Sequence, residues 1–195
     1  MKKKVLIVFA YPNHDSLNYA LCEKTKKGLQ DAGHDVQVLD LYEEKFDPIL
    51  TFDKQNPRRD LQNRPETKKY REQILWADHL VFIFPIWWGG MPAILKGYFD
   101  RVFTTGFSYH FEGVMPHGHL KGKTAWIITT DDTPPPFRFL LMQDYGTVLK
   151  RQILSAMTGV RPKKHLRFSY VKGRKDHTIK QWLERCYQLG RNGLS

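Results

Sequence analysis

The chain is poor in cysteine, with Cys22 and Cys186 the only two among 195 residues. They stand far apart and without CxxC spacing. That excludes a disulfide framework and a cysteine-built metal cage, and it suits a reducing cytoplasm. Long apolar runs are missing too, since no stretch nears the roughly 18 consecutive residues a membrane span needs. Met1-Lys-Lys-Lys followed by Val5 to Ala10 has the outline of a secretory leader. The run is too short, however, and Tyr11-Pro-Asn-His-Asp follows without a small-residue cleavage site. Internal repeats and low-complexity tracts are also absent, which excludes solenoids and arrays.

Acidic residues are the scarcer charge, 20 against 31 Lys and Arg, for a formal net charge of +11. The basic residues come in scattered pairs such as Lys26-Lys27, Arg58-Arg59, Lys68-Lys69 and Lys163-Lys164. Scattered charge reads as a solvated surface that attracts anionic ligands, such as a nicotinamide dinucleotide, or an acidic membrane or partner, rather than as a nucleic-acid face. No nucleic-acid partner is expected. The ordinary globular composition, 41% hydrophobic and 26% charged, predicts one domain over residues 1–195.

Val5-Leu-Ile-Val-Phe-Ala10 is continuously apolar, as a strand covered on both faces of a parallel sheet requires. A helix is predicted from Ser16 to about Ala32, capped by Asp15 or Ser16 and stopped at Gly33. Val36, Val38 and Leu39 mark a second strand. Residues 42–65, with three prolines, form a long connection of the kind that usually serves a site or an interface. A short helix (Thr67–Ala77), a third strand (Leu80–Ile86) and a helix opened by Pro92 follow. A loop from Gly106 to Lys123 then leads to a fourth strand, Thr124–Thr130. A helix from about Asp144 to Met157, a less buried strand over His165–Val171 and a closing helix with Ile179, Trp182, Leu183 and Cys186 complete the chain. Five strands alternating with helices predict an α/β domain, a doubly wound five-stranded parallel sheet with helices on both faces.

Ligands of such sheets bind beyond the carboxyl ends of the strands. Three loops are therefore candidates: Tyr11–Asn18, Pro85–Gly90 and Thr129–Pro136. The first opens a helix and offers Ser16, Asn18 and backbone N–H groups to an anion, a phosphate above all. The second, Pro85-Ile-Trp-Trp-Gly-Gly, sets two tryptophans beside glycines, which suits a flat aromatic ligand. The third, Thr129-Thr-Asp-Asp132, has groups that can hydrogen-bond a ring edge. His117 and His119 form an HxH pair, but no third ligand stands at a recognisable spacing, so no metal is expected.

Four segments carry a resemblance: Tyr11 to Leu21 (YPNHDSLNYAL), Asp40 to Ile49 (DLYEEKFDPI), Phe84 to Phe103 (FPIWWGGMPAILKGYFDRVF) and Phe107 to Phe111 (FSYHF). Together they resemble the NAD(P)H:quinone reductase family, over nearly the whole chain and in the same order. The resemblance implies a flavodoxin-like fold and a flavin-dependent enzyme that takes a hydride from NAD(P)H and passes two electrons to a quinone or similar aromatic acceptor in a ping-pong cycle. It implies FAD, with FMN as the alternative. Asp15, Ser16, Leu17, Asn18 and Ala20 would cradle the flavin phosphates. Pro85, Ile86, Trp87, Trp88 and Gly89 would lie along the isoalloxazine, with Thr129, Thr130 and Asp131 at its other edge. Tyr109 and Phe111 match aromatics that reach over the partner subunit's flavin, which implies a homodimer. Phe137 joins them in the substrate pocket, and Tyr145 is the candidate proton donor. The chain departs from the family at Tyr11, where His is common, and at Asp131-Asp132, where a Gly-Gly pair is common. Some relatives attend a bacterial potassium-efflux system, so a regulatory flavoprotein is the alternative reading.

Overall fold

The computed structural model describes residues 1–134, 136–137 and 146–194. Five strands make one parallel sheet: β1 (Lys4–Phe9), β2 (Asp35–Asp40), β3 (His79–Pro85), β6 (Thr124–Asp131) and β7 (Arg161–Ser169). Two more, β4 (Tyr109–Glu112) and β5 (Met115–Gly118), make a separate antiparallel ribbon. The helices are α1 (Leu17–Asp31), α2 (Lys68–Trp76), α3 (Ala93–Val102) and α4 (Asp176–Asn192), with a π-helix over Leu149–Thr158.

Strand order is β2-β1-β3-β6-β7, the flavodoxin-like order of a doubly wound sheet. Burial follows from that order. The central strands β3 and β6 are buried at every position, and β1 at all but its first, Lys4. These are the segments whose sequences are nearly unbroken apolar runs. The edge strands β2 and β7 expose many side chains and carry the polar residues.

Because successive residues of a strand face opposite ways, the sheet feeds two cores. Leu6, Val8, Leu80, Phe82 and Ile127 meet Ile74, Leu95, Tyr98 and Val102, so α2 and α3 cover one face. Val5, Ile7, Phe9, Val81, Trp126 and Ile128 meet Leu21, Leu29, Trp182 and Cys186, so α1 and α4 cover the other. Helices α1 and α4 approach closely at a glycine crossing. A Cβ on Gly28 would lie 2.1 Å from the Tyr187 carbonyl oxygen, and one on Gly190 would lie 2.5 Å from that of Thr25.

Two expectations change, the Gly106–Lys123 loop and the bounds of the fifth strand. The loop predicted over Gly106–Lys123 contains the β4–β5 hairpin. Its two-residue turn has Gly113 at positive φ (59°) in the first position, as a II′ turn uses. The fifth strand begins four residues earlier than predicted and stops at Ser169, where Tyr170 enters the left-handed region (φ 61°). Pairing with β6 recruits the polar stretch Arg161–Lys164, which hydrophobicity alone cannot mark. The long connection after β2 is pinned to α3: Gly97 leaves room for Pro48, and Arg101 pairs with Asp47 at 2.8 Å. The helix predicted from Asp144 is described only from Thr147 onward, and Gly159 in the left-handed conformation ends it.

One buried titratable group sits at the end of the sheet opposite the strands' carboxyl termini. His79, the first residue of β3, is wholly buried, with Nδ1 2.6 Å from Thr124 Oγ1 and the ring edge-on to Trp126. Burial, reinforced by Lys3 and His34, pushes its pKa down to about 3. The unfolded chain takes up this proton near pH 6.5, about the free imidazole value, whereas the folded chain refuses it. Stability from this group is therefore complete above about pH 6.5. It should fall by up to about 1.4 kcal/mol per pH unit as pH drops from there toward 3. Urea unfolding measured between neutral and acid pH should show this slope, and His79→Asn should flatten it.

Candidate functional site

The carboxyl ends of β1, β3 and β6, with the loops that leave them, enclose a cleft of about 610 Å3. It lies between β1 and β3, where the order of strands reverses. The loop after β1 turns on Asn13. The Asn13 Oδ1 accepts the Asp15 N–H at 2.8 Å, and its carbonyl accepts the Ser16 hydroxyl at 2.6 Å. Ser16 caps α1, accepting the Tyr19 N–H at 3.2 Å. The N–H groups of Leu17 and Asn18 have no acceptor within the helix, and its first turn holds no acidic residue. The helix thus presents the positive end of its dipole to the cleft. Asn18 is buried and accepts the Thr130 hydroxyl at 3.0 Å, which locks the start of α1 to the end of β6.

After β3 the chain folds into a tight turn. Trp87 and Gly90 exchange both N–H···O bonds, at 2.9 and 3.0 Å. Both central residues, Trp88 (φ 49°) and Gly89 (φ 78°), are left-handed. Glycine adopts this freely, but for a tryptophan it is a strained conformation that the surrounding turn must enforce. Trp88 is fully exposed, and Trp87 is 39% exposed with its ring 5.8 Å from that of Tyr11. The turn's own bonds use the N–H groups of Trp87 and Gly90 and leave those of Trp88 and Gly89 outside the pairing. Ile86 N–H donates to the Thr130 carbonyl at 2.7 Å and holds the turn beside β6.

Beyond β6, Asp131 is buried and accepts from the Ser169 hydroxyl (2.8 Å) and the Thr133 N–H (3.0 Å). Asp132 accepts the Lys172 N–H at 2.9 Å and stands 3.5 Å from its ammonium. Val171 and Lys172 therefore join the lining, two residues that sequence reasoning did not single out. The strand predicted through Val171 concealed the turn that brings them there, and Gly173 was its signal.

The cleft brings together Asp15, Ser16, Leu17, Asn18, Pro85, Ile86, Trp87, Trp88, Thr130 and Asp131. Gly89 and Phe137 line an adjoining trough of about 370 Å3 that shares Ile86, Trp88 and Asp131 with it. Ala20 is half-buried in α1, outside the cleft lining, with its N–H donating to the Ser16 carbonyl. Thr129 faces the opposite side of the sheet from Thr130, with its hydroxyl 3.1 Å from His165 Nε2. Strand alternation separates the two threonines. Tyr109 lines a small separate cavity with Arg58 and Phe103, and Phe111 is half-exposed on the hairpin. Tyr145 lies outside the described residues.

Residues 3–189 match the family described as "Flavodoxin-like fold". The chain belongs to that family. A solved structure, Smu.1420 from Streptococcus mutans UA159, superposes with a TM-score of 0.88 at 46% identity, covering 97% of this chain and 99% of that one. The NAD(P)H:quinone oxidoreductase from Methanothermobacter marburgensis gives a TM-score of 0.82 at 25% identity, covering 100% of this chain and 98% of that one. Among curated relatives, "NAD(P)H dehydrogenase [quinone] 1" of Cavia porcellus is 35% identical over 145 residues, 66% of this chain. The matched region spans 53% of that protein's length, so the chain matches about half of it.

The Asn18–Thr130 bond is the buried link between the helix and the sheet at this site. Thr130→Val keeps the shape of the side chain and removes the donor. It should destabilise the fold by about 1–3 kcal/mol, because the Asn18 oxygen is left buried and unpaired. Chemical denaturation of the two proteins side by side measures the difference.

Proposed function

We propose that the chain is a flavin-dependent NAD(P)H oxidoreductase that reduces quinones or similar aromatic acceptors by two-electron, ping-pong hydride transfer. One observation carries this reading. A single cleft joins a capped helix N-terminus, suited to a phosphate, to a tight turn that displays two tryptophans and uncommitted N–H groups, suited to a flat heteroaromatic ring. The cofactor's two ends make the same two demands. A flavin held here supplies the hydride chemistry. The chain's own residues hold and orient it: the Leu17 and Asn18 amides at the phosphate, and the Trp87–Gly90 turn and Thr130 along the ring. The amides of Trp88 and Gly89 give a donor-rich wall for negative charge at the ring edge.

FAD is the cofactor we infer, with FMN the alternative. NAD(P)H is the donor, and the +11 net charge favours its approach. The names of the archaeal structure and the guinea-pig relative support the same activity. A homodimer in the cytoplasm completes the reading. The exposed Trp88 and the half-exposed Phe111 are apolar surfaces that a second copy would cover, with Tyr109 and Phe111 of the hairpin closing the neighbouring cleft. No described helix is long and apolar enough to cross a membrane. The regulatory alternative is not favoured by any feature of the cleft.

The test is an absorption spectrum of the purified protein taken anaerobically with NADPH and then with menadione. Flavin bands that bleach with NADPH and return with the quinone are expected, and mass spectrometry of the released cofactor separates FAD from FMN. A colourless protein that takes up no added flavin and oxidises no NAD(P)H would sink the proposal. Replacing Trp87 and Trp88 with Ala should weaken flavin retention or alter its spectrum. Tyr145 is proposed as the proton donor of the acceptor half-reaction. Tyr145→Phe should therefore slow the return of the bands more than their bleaching, and equal slowing would remove it from that role.

A further inference from the structure

The trough beside the cleft has a chemistry of its own. It encloses about 370 Å3 between Ile86, Trp88, Asp131, Asp132, Pro134 and Phe137. Its apolar side is aromatic and accessible, since Trp88 is fully exposed and Phe137 half-exposed. Its polar side is acidic, with two successive carboxylates where β6 ends. Among the described residues that line it there is no Lys, Arg or His. Ile86, Trp88 and Asp131 line both spaces, so one molecule can reach from the cleft into the trough.

The two carboxylates are held differently. Asp131 is buried, and its oxygens accept from the Ser169 hydroxyl at 2.8 Å and the Thr133 N–H at 3.0 Å. Both oxygens accept, as those of an ionised carboxylate do, and both donors are neutral. Among the described residues no cation pairs with it. Asp132 has a cationic partner, but a loose one. Its Oδ2 stands 3.5 Å from the Lys172 ammonium, whose side chain is 86% exposed. An ion pair in that setting contributes little, and the ammonium can leave at small cost. The trough thus keeps negative charge that its surroundings do not neutralise.

Carboxylates facing aromatic rings suit a positively charged group, attracted to the acids on one side and to the negative ring faces on the other. The net charge of +11 works in the opposite direction and draws anions to the surface at large. A preference for cations can therefore arise only from a local arrangement such as this one. We propose that the trough is a selectivity subsite that favours aromatic acceptors bearing a positively charged group, a quaternary ammonium arm or an N-alkylated ring. This rests on the reading of the cleft as a flavin and acceptor site, and it names the class of acceptor within that reading. The cationic group sits against Trp88, Phe137 and Asp131 and takes over the role of the Lys172 ammonium at Asp132. The trough has no part in the electron transfer itself; its acids position the acceptor.

Two measurements on the full chain test this. In equilibrium dialysis, N-methylquinolinium and 1-naphthoate present fused double rings with opposite charges. The wild-type chain should bind the cation more tightly. Asp131→Asn and Asp132→Asn should each cut the cation-to-anion affinity ratio by at least about threefold, the scale of one charge contact near a surface. Lys172→Gln removes a competing cation and should raise the ratio. Asp35→Asn, at the other end of the sheet, should leave it unchanged. Asp132 and Lys172 are exposed, so their variants decide the matter even where Asp131→Asn fails to fold. In steady-state assays with NADPH, naphthoquinones with a neutral, a sulfonate or a trimethylammonium side arm should follow the same order in kcat/KM and respond to the same substitutions. No preference for the cation in the wild type, or a ratio indifferent to all three trough substitutions, would overturn the proposal. A chain that holds no flavin and oxidises no NAD(P)H removes the proposed function and the acceptor role with it. Flavin that cycles normally with side arms of equal kcat/KM removes the selectivity subsite alone.

Discussion

Everything in this molecule hangs on three adjacent parallel strands, β1, β3 and β6, that are buried on both faces. Their backbone groups are consumed by the ladder and their side chains by two cores. Such a sheet has nothing left to offer a ligand along its length. Only at the carboxyl ends do the ladders stop and the loops leave, and only between β1 and β3 do neighbouring connections run to opposite sides. A cleft opens there because neither crossover covers it.

The site inherits its rigidity from that sheet. Ser16 sets the start of α1, Asn18 ties it to Thr130, and Ile86 ties the tryptophan turn to the same residue's carbonyl. Thr130 thus joins the start of α1 and the tryptophan turn through its hydroxyl and its carbonyl. The strained Trp88 is held in a turn whose two flanking hydrogen bonds leave it little choice. An aromatic surface fixed in this way before any ligand arrives loses less entropy on binding one. The buried Asp131 carboxyl accepts from the Ser169 hydroxyl and the Thr133 N–H, so it is held by the protein's own donors.

Much of this was legible in the residue order. Unbroken apolar runs identified the three central strands, and Ser16 and Gly33 bracketed α1 within a residue or two. Less was legible at the edges. β7 starts in a polar stretch whose only reason to be a strand is its neighbour β6, and the β4–β5 ribbon is too short and polar to stand out. Among the candidate site residues, those on loops share one cleft, whereas the pleat of β6 divides the two threonines. Thr129 and Thr130 look alike in sequence, yet the pleat sends one to His165 and the other to Asn18.

Residue order alone marks which segments are buried, where the helices begin, and which three loops share one end of the sheet. Those follow from hydrophobic periodicity and capping chemistry, which are local. That Lys172 reaches the cleft beside Asp132, and that His110 meets His119 across a hairpin, emerges only from the folded chain. Both depend on register between distant strands, a property of pairs of segments that no single stretch of residues contains.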